Sequence, residues 1–194
     1  SYSKEEISAV SNVLKSNQVN YWTGAQCRDF EKEFCTWTGS KHSIALSNGT
    51  VALDLALRAL DLNQTDEVIV TPRSFIASVS SVITVGAKPV FADVDLQTGN
   101  LTAETINKKI TKKTKAIICV HLYGNVCNMN ELLKIKKKNK IYLIEDCAEA
   151  LGARFNDIPV GSFGDISTFS FHGTKLITGG EGGMFVTNNK KLYK

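Results

Sequence analysis

Apolar residues along the 194-residue chain switch between two spacings, and each switch marks a change of element. Over residues 4–15 (KEEISAVSNVLK), Ile7, Val10, Val13 and Leu14 share one helical face. Over Cys27–Trp37 the aromatics Phe30, Phe34 and Trp37 line a second amphipathic stretch. A short apolar strand, HSIAL, closes on Ser47-Asn48-Gly49-Thr50 and leads into the helical run VALDLALRAL. The alternation continues with strand DEVIVTP, stopped by Pro72, helix Phe75–Thr84, strand KPVFADVD and helix Ala103–Ile110. Strand TKAIICVHLYG, helix Met129–Lys138 and strand IYLIEDC follow. Beyond Cys147 two glycines and Pro159 precede DISTFSFHGTK, a glycine-rich ITGGEGG and the strand MFVTNN. No repeat or low-complexity linker interrupts the pattern.

Strands alternating with helices at this rhythm predict an α/β fold, a three-layer α/β/α arrangement around a mostly parallel sheet. In such sheets ligands sit beyond the carboxyl ends of the strands. The residues gathered there are Asn48–Thr50, Thr71–Phe75, His121–Gly124 and Glu145–Glu149. At 43% hydrophobic, the chain has enough apolar material for one sizeable core. Lys plus Arg number 23 and Asp plus Glu 19, a net charge of +4. The densest basic stretches, Lys108–Lys115 and Lys134–Lys140, are broken by apolar residues and read as solvated helix faces, so no nucleic-acid partner is expected. No apolar run approaches the roughly 18 residues that cross a bilayer, and SYSKEEISAV does not have the form of a signal peptide. Five cysteines cannot all pair and form no C-x-x-C, and three scattered histidines lack ligand spacing, so no metal site is expected. These features predict a cytoplasmic globular protein without membrane attachment.

Three places carry candidate chemistry. The turn Ser47-Asn48-Gly49-Thr50-Val51 opens a helix, where free N–H groups and the dipole suit a phosphate, although an ordinary N-cap has the same composition. Neither G-x-G-x-x-G nor a P-loop follows this strand. Glu145-Asp146 ends a strand and can hold a cation or a protonated ring nitrogen, or simply cap a helix. Lys175 follows an apolar stretch almost without charge and precedes glycines; it is a nucleophile or base if buried, a solvated side chain if not. A phosphate cradle, a strand-end carboxylate and an isolated lysine are together what pyridoxal phosphate requires. Phe75, at another strand end, is available to stack on its ring.

The segments SNGTVALDLALRAL, DEVIVTPRSFIAS, GAKPVFADVD, HLYG, IEDCAEALGA and FSFHGTKLITGGEGGMFVT resemble, in order and spacing, the DegT/DnrJ/EryC1/StrS sugar aminotransferases of pyridoxal-phosphate fold type I. The resemblance implies that Lys175 is the Schiff-base lysine and Asp146 the partner of the pyridine nitrogen. It implies that Thr50, with the backbone around Gly49 and Val51, cradles the phosphate, that Ser170 adds a donor, and that Phe75 stacks on the ring. Glu149 matches the position near the ring hydroxyl, where many relatives carry Gln or His. His172 matches no assigned role. EDCAEALGA and FHGTK look most like members that aminate GDP-4-keto-6-deoxymannose, with glutamate as donor. A UDP- or dTDP-linked keto sugar and a non-catalytic relative are the alternatives, and the lysine argues against the dehydratases of this fold, which carry histidine there.

The same resemblance implies that residues 1–194 are an N-terminal arm plus most of the cofactor-binding large domain, with a small C-terminal domain absent, and that the protein is a homodimer with shared active sites. The chain departs from the family's T-T-G-E-G-G at Gly179, a change expected to loosen the backbone there.

Overall fold

The computed structural model describes residues 2–193. Two helices, α1 (Lys4–Ser16) and α2 (Gln26–Thr38), lead into β1 (His42–Leu46) and α3 (Gly49–Arg58). Then follow β2 (Glu67–Val70), α4 (Ala77–Thr84), β3 (Lys88–Phe91), α5 (Ala103–Asn107) and β4 (Thr114–Val120). A 3-10 turn at Leu122–Gly124 precedes α6 (Met129–Asn139) and β5 (Tyr142–Asp146). A small hairpin of β6 (Arg154–Phe155) and β7 (Ile158–Pro159) leads to β8 (Ile166–Ser170), β9 (Gly183–Thr187) and α7 (Lys190–Tyr193).

Seven strands form one sheet in the order β1-β9-β8-β5-β4-β2-β3, and only β9 runs against its neighbours. Successive residues of a strand face opposite sides, and the core divides accordingly. Val68, Val70, Ile118, Ile144 and Ile166 meet Leu53 and Leu57 of α3 and Val82 of α4 on one side. Ile69, Ile117, Cys119 and Leu143 meet Met129, Leu132 and Ile135 of α6 on the other. There Phe34 of α2 also packs edge-on against Phe169 of β8, ring centroids 4.8 Å apart. This is the expected three-layer fold. Among the described residues no helix is long and apolar enough to cross a membrane.

Three elements differ from the sequence reading. The helix expected from Phe75 begins at Ala77, which leaves Phe75 in the turn beyond β2. The β6–β7 hairpin was not anticipated; its Asn156-Asp157 turn has both residues at positive φ, as tight hairpins require. Helix α1 forms with a complete capping box at Ser3 and Glu6, yet it buries no residue, so Ile7, Val10 and Leu14 face outward.

One polar centre lies inside the core. Glu145 is fully buried and accepts five hydrogen bonds. Its Oε1 takes the N–H groups of Phe163 (2.8 Å) and Gly164 (2.6 Å) and the Ser167 hydroxyl (3.1 Å). Its Oε2 takes Gly161 N–H (2.9 Å) and His121 Nε2–H (3.2 Å). His121 Nδ1 accepts Cys127 N–H at 3.3 Å, so the ring N–H that faces Glu145 is on Nε2. Burial alone would raise the Glu145 carboxyl, but His121 and the Gly161 and Gly164 amides hold it below the usual carboxylate range. Its stabilising contribution is therefore fully present above the unfolded carboxylate value and lost as pH falls through the lowered one. Glu145→Gln turns an NH2 group against backbone donors and should cost about 3 kcal/mol. Thermal unfolding near neutral pH should show a Tm lowered by roughly 6–12 °C, and an unchanged Tm would show that the network is dispensable.

Candidate active site

The carboxyl ends of β1, β2, β5 and β8 surround a cavity of about 360 Å³. Gly49, Thr50, Phe75, Asp146, Glu149, Ser170 and Lys175 all line it, together with Ser78, His172 and Glu181. Seven of the eight residues named from sequence thus converge across more than a hundred positions of chain. Val51 does not line the cavity: its N–H is taken by the Asn48 side chain at 2.9 Å, which makes Asn48 the N-cap of α3. Both sequence readings of this turn hold at once, a capped helix start and an approach to the cavity.

The first intrahelical bond of α3 is Ala52 N–H to Asn48 C=O, so the Gly49 and Thr50 amides lie ahead of the helical ladder at the positive end of the dipole. A Cβ on Gly49 would stand 2.8 Å from Ser170 Cβ, so only glycine brings the helix start this close to the end of β8. Ser170 Oγ accepts His172 N–H at 3.4 Å, which leaves its own O–H to donate. Thr50, Ser170 and the leading amides of α3 form a corner of hydrogen-bond donors whose chemistry suits an anion.

Asp146 follows Glu145 on β5 and points to the opposite face, as strand alternation dictates. It is 4% exposed. The Ser78 hydroxyl donates to its Oδ2 at 2.9 Å and Ala148 N–H to its Oδ1 at 3.2 Å. Ser78 is itself 2.8 Å from Ser74 Oγ. Burial raises the Asp146 carboxyl above its ordinary value, and the bonds from Ala148 and Ser78 only partly oppose this. The carboxylate retains accepting capacity toward the cavity, and a cationic N–H placed there would offset its burial.

Lys175 lies on the loop between β8 and β9, with its side chain 22% exposed and Nζ 3.6 Å from Glu149 Oε1. Glu149 Oε2 accepts Tyr123 N–H at 3.0 Å, a link between lysine and rim that the sequence did not disclose. His172 is fixed by Thr174 (Nδ1 to Oγ1, 3.1 Å) and faces Glu181 (Nε2 to Oε1, 3.8 Å). The loop is not slack at Gly179: its N–H and the Thr178 hydroxyl both bond Phe171 C=O, at 3.2 and 2.8 Å. A cluster of His121, Glu145 and Cys147 lies within the core near the cavity. Its imidazole nitrogens and carboxylate oxygens are occupied by the bonds described above, so its chemistry is structural.

The cavity thus offers an anion corner, a buried carboxylate, an aromatic face and an amine, a donor set that fits pyridoxal phosphate. Comparison with known proteins agrees with this chemistry. The profile of the DegT/DnrJ/EryC1/StrS aminotransferase family matches residues 1–194. The chain is 47% identical over 184 residues to GDP-perosamine synthase of Escherichia coli O157:H7, covering 95% of this chain and 50% of that protein. An aminotransferase from Psychrobacter cryohalolentis superimposes with a TM-score of 0.97 at 55% identity, covering 100% of this chain and 49% of the other. Spr1654 of Streptococcus pneumoniae, solved in its PLP form, superimposes with a TM-score of 0.92 at 32% identity, covering 99% of this chain and 52% of that one. The chain spans about half the length of the relatives it matches.

The raised Asp146 carboxyl gives a signed expectation. Its burial costs stability progressively as pH rises from the ordinary carboxylate range through the raised value. Asp146→Asn removes that cost and keeps both protein contacts, because Ser78 can turn its hydroxyl toward Ser74. The cofactor-free variant should unfold at the same Tm as the parent or higher, by about 2–4 °C per kcal/mol relieved, while the rise in Tm on adding pyridoxal phosphate should shrink. An equal cofactor-induced rise in both proteins would remove Asp146 from the ligand's environment.

Proposed function

The chain belongs to the DegT/DnrJ/EryC1/StrS aminotransferase family, and from that premise we propose that it forms the N-terminal arm and most of the cofactor-binding domain of a pyridoxal-phosphate-dependent aminotransferase. Its substrate in this reading is a nucleotide-linked 4-keto-6-deoxy sugar, GDP-4-keto-6-deoxymannose, which is aminated at the keto carbon with glutamate as donor. The convergence of Lys175, Asp146 and the Thr50–Ser170 corner on one cavity carries the reading of the chemistry. The identity to GDP-perosamine synthase supports the choice of sugar.

When bound, pyridoxal phosphate supplies an aldehyde that captures amines and a ring that delocalises the electron pair left as a neighbouring proton departs. The protein's part is to bind, orient and move protons. Thr50 Oγ1, Ser170 Oγ and the Gly49 and Thr50 amides hold the phosphate. Asp146, kept dry, would hold a proton on the ring nitrogen through a charge-assisted hydrogen bond. Phe75, 68% exposed at the cavity edge, would offer its ring to one face of the cofactor. Lys175 Nζ is the amine that would meet the aldehyde and, when free, the base that would take a proton from the donor carbon and hand it back. In the direction of amination the same nitrogen would carry the proton in the opposite order. Glu149 offers Lys175 Nζ an adjacent acceptor.

Borohydride reduction of the cofactor-loaded protein, followed by peptide mapping, should put the label on Lys175. Lys175→Ala should take no label, and Lys175→Arg should be as inactive, because a guanidinium stays protonated. Turnover should be fastest with the GDP-linked keto sugar. Faster turnover with a UDP- or dTDP-linked sugar would move the nucleotide assignment, and label on another lysine would overturn the site.

The reading also includes a homodimer. The uncovered apolar stripe of α1, Ile7, Val10 and Leu14, supports it as surface in need of a neighbour. Sedimentation of the full-length protein at micromolar concentration should give twice the chain mass, and a fully active monomer would exclude it.

A further inference from the structure

Tyr123 is a bulky residue in the left-handed backbone region, with φ 55° and ψ 27°. Glycine and asparagine usually occupy that region, and a large aromatic there is strained. Such strain persists only where the surroundings enforce it, and it concentrates at functional sites. Here it is enforced from both sides. Leu122, one residue earlier, is buried in the core, and the Tyr123 N–H is bonded to Glu149 Oε2 at 3.0 Å. Packing gives no return for the strain, because the Tyr123 side is 79% exposed and, among the described residues, its hydroxyl has no protein partner. The fold holds an exposed aromatic side chain on a residue whose N–H is bonded to Glu149, the cavity residue that faces Lys175.

The cavity itself, about 360 Å³, is at the small end of ligand sites. In a nucleotide-linked sugar the base lies a ribose and two phosphates away from the carbon that reacts. Such a base needs a contact of its own outside the reaction centre. Phe75 lines the cavity, whereas Tyr123 is exposed and held by its N–H on Glu149. We propose that Tyr123 is a substrate-positioning residue whose ring stacks on the planar base of the nucleotide, with Glu149 joining this outer contact to the lysine at the reaction centre. The inference rests on the reading that the substrate is a nucleotide-linked sugar.

The test compares full-length parent protein with Tyr123→Phe, which keeps the ring, and Tyr123→Asn, which suits the left-handed backbone without one. Calorimetric binding of GDP should weaken about tenfold in the Asn variant, the scale of one aromatic–base stack, and stay within about twofold in the Phe variant. Inorganic pyrophosphate, which has no base, should bind all three alike. KM for the nucleotide sugar should follow GDP affinity, with kcat nearly unchanged. Equal GDP affinity in the Asn variant, or parallel losses of GDP and pyrophosphate, would overturn the stacking role while leaving the aminotransferase reading in place. A parent protein that binds none of GDP, UDP and dTDP would overturn the nucleotide-sugar reading and this inference with it.

Discussion

Glu145 accepts five donors from three separate parts of the chain, and the positions of Asp146 and Ser170 in the cavity depend on that convergence. A buried carboxylate is costly unless its oxygens are satisfied, and one satisfied this fully constrains all that surrounds it. Its bonds to Gly161, Phe163 and Gly164 fix the entry into β8, so Ser170 at the far end of that strand is fixed as well. Its bond to His121 fixes the residue that leaves β4 toward the rim. Because neighbouring residues of a strand face opposite ways, a settled Glu145 leaves Asp146 pointing into the cavity.

The two adjacent carboxylates therefore hold opposite electrostatic positions. Glu145 is lowered by its donors; Asp146 is raised by burial that its two donors do not offset. The first is complete within the protein. The second is stabilised only when another positive group arrives, which is the arrangement expected of a ligand site that gives up native stability for affinity. The strain at Tyr123 is of the same kind, a local cost maintained by well-satisfied surroundings.

The sheet was legible in the sequence because its central strands are buried on both faces and read as unbroken apolar runs, as in VIV and AIICV. The cavity was legible because its residues sit at strand ends, where the topology alone brings them together. The partnership of Glu145 with His121 was not. It joins residues 24 apart on neighbouring strands, and only the β4–β5 register, with Cys119 opposite Glu145, places them together. The strand period could have separated Glu145 from Asp146, since one must face away from the site. Val51 was grouped with the cradle because turn composition does not tell which amide a cap consumes; the Asn48 side chain takes that one. The apolar stripe of α1 predicted its helix correctly, but periodicity does not identify what covers the stripe.

The glycines after Lys175 read as slack in the sequence and act as close fit in the fold. β8 and β9 are joined without a helix, so β9 returns antiparallel and the connecting loop crosses the carboxyl edge of the sheet. His172 pairs with Gly180 and Asn48 with Gly182, stitching that loop to the start of α3. A side chain at Gly183 would collide with the Asn48 carbonyl, so glycine there lets β9 begin against the same turn that forms the anion corner. The lysine and the anion corner are thereby parts of one stitched edge. A residue that must reach one atom of a ligand is placed relative to the group that holds the ligand's opposite end, and this loop gains its precision from that pairing.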